Sequence, residues 1–237
     1  MLKKVFVDGR IISQYSISLE HVKNLNMIFD KEKDKLSSYG SRLAGRLETE
    51  LSITDILQSS TIYPLLTECM FAHITKLQQH NCTSIVDPYN LNIISAWIND
   101  MKEGEYNPPH THHNGTGFSV VLFLNIPEYI NDVKDPHKFH DGQLGFGGFE
   151  NQKIWIEPEV GDFFIFNANH THYVMPFKVK TKGETRRSMS FNFIATPIGK
   201  NEKKVKQLNL FVMRKAWKLY ILIQNQQKYL FLNPIKN

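Results

Sequence analysis

Apolar positions along this chain change their period twice. Up to about residue 87 the clearest pattern is helical. In YPLLTECMFAHITKLQQH, Leu66, Cys69, Met70, Ile74 and Leu77 recur at three- and four-residue steps and line up one apolar stripe. A short strand is expected from Lys4 to Asp8, and His73 and His80 read as ordinary helix-surface or helix-end histidines. From Tyr89 the texture becomes short apolar runs between Gly, Pro, Asn and Asp: LNIISAWINDM, GFSVVLFLNIP, GQLGFGGF, KIWIEP, GDFFIFNA, HYVMPFKV and RRSMSFNFIAT. Such runs predict six or seven short strands in an all-β sandwich or barrel. Helices first and strands second place the helices on one outer face of that β core. After Lys200 the pattern turns helical again, in VKQLNLFVMRKAWKLYILIQ.

These changes divide the chain into a support region of helices and strand over 1–88, a β core over 89–197 and a basic amphipathic tail over 198–237. Charge sharpens the division. Of the 28 Lys and Arg, nine follow position 199, against one of the 23 acids, so that tail carries +8 and the rest of the chain −3. A nucleic-acid groove across the core is therefore not expected; only the tail retains that option, beside docking on the body, a homodimer contact or an anionic surface. No run is apolar and long enough for a signal peptide or a membrane span, and Cys69 and Cys82 match no metal knuckle or disulfide framework. Two reduced thiols fit a cytoplasmic protein.

The chemistry concentrates in EGEYNPPHTHHNGTGFSVVLFLNIP. A transition-metal site needs neutral imidazoles converging on one point. In extended backbone, residues i and i+2 share a side, so His110 and His112 pair while His113 faces away. Pro108 and Pro109 stiffen the approach. A third ligand is expected from a later strand edge, and IFNANHTHYVMPF offers both His170 and His172 by the same spacing. In ETRRSMSFNFIAT, Arg186, Ser188, Ser190 and Asn192 alternate with Arg187, Met189, Phe191 and Phe193. A surface strand with its polar side in water has this pattern. An Arg and a Ser two residues apart also present a guanidinium fork and a hydroxyl together, a receptor for the far carboxylate of a small dicarboxylate.

Taken in order, these motifs resemble the Fe(II)/2-oxoglutarate oxygenases, in particular the small ones of marine bacteria and their phages. The resemblance covers about 92–196 and rests on Trp97 and Asn99, Tyr106 with Asn107, His110 and His112, Ser119 and Val121, Pro158 with Gly161 and Asp162, and Arg186 with Ser188. It implies a double-stranded β-helix (jelly-roll) core and the use of Fe(II), 2-oxoglutarate and O2. It implies His110, His112 and His172 as iron ligands, His172 because it lies six residues after Phe166. It further implies Arg186 and Ser188 as the holders of the 2-oxoglutarate 5-carboxylate, with Asn99 and Tyr106 as further cosubstrate contacts. One departure stands out. Most such enzymes carry Asp or Glu where this chain has His112, and a carboxylate such as Asp141 is the alternative third ligand. His21, His137 and His140 are expected on surface or loops. The competing classes are a cupin-type metalloenzyme without 2-oxoglutarate, whose expected glutamate is missing after His112, and a non-catalytic ligand-binding β module. Substrate choice, small molecule or peptide, belongs to variable loops.

Overall fold

Two antiparallel sheets carry the fold. In chain order the strands and helices are β1 (Leu2–Val7), β2 (Ile11–Ser16), α1 (Leu19–Glu32), β3 (Glu50–Ser52), α2 (Thr54–Ser59), α3 (Tyr63–His80), β4 (Tyr89–Met101) and β5 (Asn107–His110). There follow β6 (Phe118–Asn125), β7 (Leu144–Phe146), β8 (Ile154–Ile156), β9 (Asp162–Asn167), β10 (His172–Val174) and β11 (Arg186–Pro197). The larger sheet runs β1-β2-β9-β6-β11-β4-β3 and the smaller β5-β10-β7-β8. The structure is a computed structural model describing residues 2–7, 10–80, 89–112, 116–130, 140–147 and 154–198. His113, His137 and nearly all of the expected helical tail lie outside these residues. Met1–Ile85 and Leu91–Ala195 form one unit; Val86–Asn90 and Thr196–Asn237 group as a second.

The first unit is layered because β6 and β9 are apolar at nearly every position and need cover on both faces. Between the sheets, Val121, Phe123, Phe164 and Phe166 meet Leu144, Phe146, Ile156 and Val174. On the other face, Leu25, Phe29 and Leu57 of the helices come against Ile98, Leu124 and Met189. The first 85 residues supply strands as well as helices: β1 and β2 extend the large sheet past β9, and β3 closes its other edge beside β4. The turn into β9 explains PEVGD. Gly161 has φ +92°, and a Cβ there would sit 2.9 Å from Ile17 O, so no larger residue fits without strain. Asp162 is buried and pins the turn, its carboxylate accepting from Lys3 Nζ (2.7 Å), Gln14 Nε2 (2.8 Å) and Glu159 N (3.2 Å).

His73 departs from the surface position expected for it, whereas His80 is exposed. It falls on the same stripe as Cys69 and Met70, so packing α3 against β2 buries it completely, with Nδ1 2.8 Å from Ser13 Oγ and its ring edge-on to Phe118. Burial pulls its pKa down from 6.5 to about 4. The unfolded chain therefore takes up the proton first. This contribution to stability is complete above pH 6.5 and is lost as pH falls towards 4. Urea unfolding at pH 7 and pH 4.5 should show a loss that shrinks by about 2–3 kcal/mol in His73→Gln. An identical loss in both proteins would mean that His73 titrates normally.

Candidate metal and cosubstrate site

β5 and β10 pair antiparallel with His110 directly opposite His172. That register brings together two histidines far apart in the chain. His112 lies just beyond β5, where its backbone N–H donates to Ala168 O at 2.8 Å and holds the segment against the end of β9. The three rings pack with centroids 4.3–4.9 Å apart, and their ligand atoms all lie within 4.8 Å of one another.

Hydrogen bonding at the far ring nitrogens sets which atoms face inward. Nδ1–H of His110 donates to Pro108 O (2.7 Å), and that of His172 to His170 O (3.0 Å). His112 Nδ1–H lies between Asn192 Oδ1 (2.8 Å) and Ser119 Oγ (2.9 Å), and the Ser119 hydroxyl itself donates to Asn192 Oδ1 at 2.7 Å. Each Nδ1 is thereby committed as a donor, and each Nε2 is left with its lone pair, as in metal-ligating histidines. Burial lowers all three pKa values, that of His112 to about 4 and that of His172 well below 6.5. The rings are neutral at pH 7, as ligation requires. His110 Nε2 and His112 Nε2 are 3.0 Å apart. Two metal–nitrogen bonds of about 2.1 Å at a right angle span about the same distance, so the pair suits adjacent positions on one ion.

Among the described residues the cluster contains no carboxylate. Asp141 is half-buried in the turn before β7 and is not part of it. His170 is also outside it: its ring packs by Phe146 and Phe166 while its carbonyl orients His172.

The polar side of β11 faces the protein interior, not water. Arg186, Ser188, Ser190 and Asn192 are all buried, the guanidinium at 1% exposure. Arg186, Ser188 and Ser190 line the same cleft as the three histidines. The Arg186 guanidinium lies 4.6 Å from the centroid of Phe123, with Nη1 4.0 Å from Met101 Sδ. Its Nε and Nη2 have no hydrogen-bond partner among the described residues, and the nearby Tyr129 hydroxyl makes no bond of normal geometry. Burial lowers its pKa, yet an arginine stays protonated. Among the described residues this buried cation has two idle donors and no carboxylate, an arrangement matched to a bound anion. Arg187, one residue on, points the other way: Nε and Nη2 grip Asp100 at 2.6 and 2.7 Å, and Nη1 reaches Asp30 of α1 at 2.8 Å.

Asn99 lines the cleft, with Nδ2 3.5 Å from Ser190 Oγ and Oδ1 without a partner among the described residues. Tyr106 is 40% exposed and not among the lining residues; its backbone instead bridges to Arg46. Two sets of residues have roles that the sequence does not mark. Asn192 and Ser119 orient His112, and Asn192 was visible as the third residue after Arg186 on one alternating face. Leu43, Ala44, Gly45 and Glu50 wall the cleft from the N-terminal region, where no pattern marks them.

Comparison with known proteins bears on the same region. Residues 95–192 match a family model described as "Putative 2OG-Fe(II) oxygenase". A prolyl hydroxylase from Trichoplax adhaerens, solved with a hypoxia inducible factor peptide fragment, superposes with a TM-score of 0.51 at 14% identity, covering 79% of this chain and 84% of that one. A prolyl-4-hydroxylase from Pseudomonas putida gives 0.49 at 16% identity over 79% and 93%. No curated protein matches the chain significantly.

Proposed function

We propose that the chain is an Fe(II)- and 2-oxoglutarate-dependent oxygenase, as the family-model match over residues 95–192 supports, and that it hydroxylates a substrate at the cleft with O2 while 2-oxoglutarate is converted to succinate and CO2. In this reading the two sheets are the halves of a double-stranded β-helix, with the reaction at one end. His110, His112 and His172 hold the iron through Nε2. When bound, iron supplies the activation of O2, which no side chain provides.

What the chain does is position and insulate. Pro108, His170 and Asn192 fix the ring orientations, so the ligand set needs no rearrangement on loading. Arg186, with Ser188 beside it, takes the distal carboxylate of 2-oxoglutarate; Asn99 adds an amide on the same wall. Phe166, Leu144 and Val174 line the cleft with apolar surface and limit water. Three neutral imidazoles leave the centre one positive charge higher than two imidazoles and a carboxylate would, which favours a dianionic cosubstrate. The observation that carries the proposal is the combination in one cleft of three inward Nε2 lone pairs and an unpaired, buried guanidinium. A cupin-type site without 2-oxoglutarate leaves that guanidinium unexplained.

Anaerobic titration of the full chain with Fe(II) and then 2-oxoglutarate tests it. A weak visible charge-transfer band should appear only when both are present and saturate at one equivalent. Iron binding with no band would remove the cosubstrate from the assignment.

A further inference from the structure

Glu50 has no place in the scheme above. It lies on β3 directly across from Asn99 on β4, so the two side chains share a face, and both line the cleft. Glu50 is 3% exposed. Among the described residues its carboxylate accepts no hydrogen bond and meets no cation; its charged neighbour is another acid, Glu105. Burial and that neighbour push its pKa up to about 7.

The wall around it brings several acceptor oxygens together, beside the amide groups of Asn99 and Asn107. A Cβ on Gly45 would sit 2.8 Å from Glu50 Oε1 and 2.4 Å from Asn107 Oδ1, so both oxygens converge on a backbone that has room only as glycine. Across the strand pair, Asn99 Oδ1 is buried and without a partner among the described residues. Trp97, two residues before Asn99 and on the same face, adds an aromatic ring to the wall. Among the described lining residues the charged ones are Arg186 and Glu50. Glu50 is not in the metal cluster, and a carboxylate repels dianionic 2-oxoglutarate. Its partner must be the third component of the reaction.

We infer that Glu50, with Asn99 and Asn107, forms the substrate-recognition wall of the cleft and receives a protonated amino group, so that the substrate class is an amine. This rests on the oxygenase reading of the same cleft. An ammonium supplies up to three donors to a wall of oxygens, and its charge restores the ionised state of a carboxyl that burial disfavours. Arg186 and Glu50 then sort the two organic reactants by charge.

The test is calorimetric titration of the full chain, held anaerobically with Fe(II) and 2-oxoglutarate. The probes are the capped amides of Nα-acetyl-lysine and Nα-acetyl-ornithine, with those of norleucine and glutamic acid as neutral and anionic controls. The ammonium probes should bind at least about 10-fold more tightly than norleucine, and Glu50→Gln should erase that margin while leaving 2-oxoglutarate affinity within about twofold. Glu50→Gln should also raise the melting temperature of the free chain, since it removes a buried carboxyl that nothing in the protein satisfies. Ammonium probes that gain nothing over norleucine while 2-oxoglutarate binds would overturn the Glu50 inference alone, as would a variant that melts lower. Failure of 2-oxoglutarate to bind would overturn the oxygenase reading and this inference with it.

Discussion

His172→Ala leaves the chain folded and without useful affinity for Fe(II). The side chain is buried at 7% exposure, stands opposite His110 in the β5–β10 pair and supplies one of the three nitrogens that the described residues bring together. Loss of a group that merely orients a ligand costs about 10–100-fold in metal affinity, and loss of the ligand itself should exceed that. Asn192→Ala supplies the comparison: His112 keeps its ring and Ser119 but loses one of the two acceptors that hold Nδ1, so its loss should stay within that range. His170→Ala should change affinity least, because His170 acts on His172 through its backbone carbonyl. Anaerobic calorimetry with Fe(II), with circular dichroism to confirm folding, ranks the three. If His170→Ala rather than His172→Ala abolished binding, the distal ligand would move two residues upstream.

The legible parts of this site obey a period. Two-residue alternation placed His110 with His112 and Arg186 with Ser188, because a strand gives successive side chains opposite faces whatever sheet it joins. Choosing between His170 and His172 needed more than alternation, since both share a face. The pairing of β10 with β5 separates them by putting His172 opposite His110, and register between distant strands is not written in either segment. The buried rather than solvated side of β11 was equally beyond one strand's pattern, as burial depends on the small sheet that covers it. Glu50 lies further still from legibility: it enters the cleft through a three-residue edge strand, contributed by a region whose visible signal was helical. His73 shows the opposite failure. Its helix follows from the stripe, and although histidine is more often a surface residue, its position on that stripe implies burial.

Arg186→Met and Arg187→Ala should separate cosubstrate binding from stability more sharply than any other pair in the chain. Methionine is similar in length, apolar and suited to the ring of Phe123 beside it, so Arg186→Met removes a buried charge that the free protein leaves unpaired. Replacing buried charges by apolar groups of like volume is often stabilising by about 1–4 kcal/mol, and the free chain should gain stability on that scale. The same change removes the one guanidinium that the described residues place in the cleft, and 2-oxoglutarate affinity should fall by at least about 100-fold, the worth of a charge-assisted bidentate contact. Arg187→Ala should do the reverse. It breaks the two bonds to Asp100, the bond to Asp30 and the contact over the ring of Phe29, which together fasten β11 to β4 and α1. With the Arg187 and Asp100 side chains at 13% and 17% exposure, the loss should reach about 2–3 kcal/mol while 2-oxoglutarate affinity stays close to that of the parent. Urea unfolding of the free proteins and calorimetric titration of their Fe(II) forms with 2-oxoglutarate give both quantities. Equal losses of affinity in the two variants would mean that the anion is not held by the inward face of β11, and a destabilised Arg186→Met would mean that the guanidinium already has a partner within the protein.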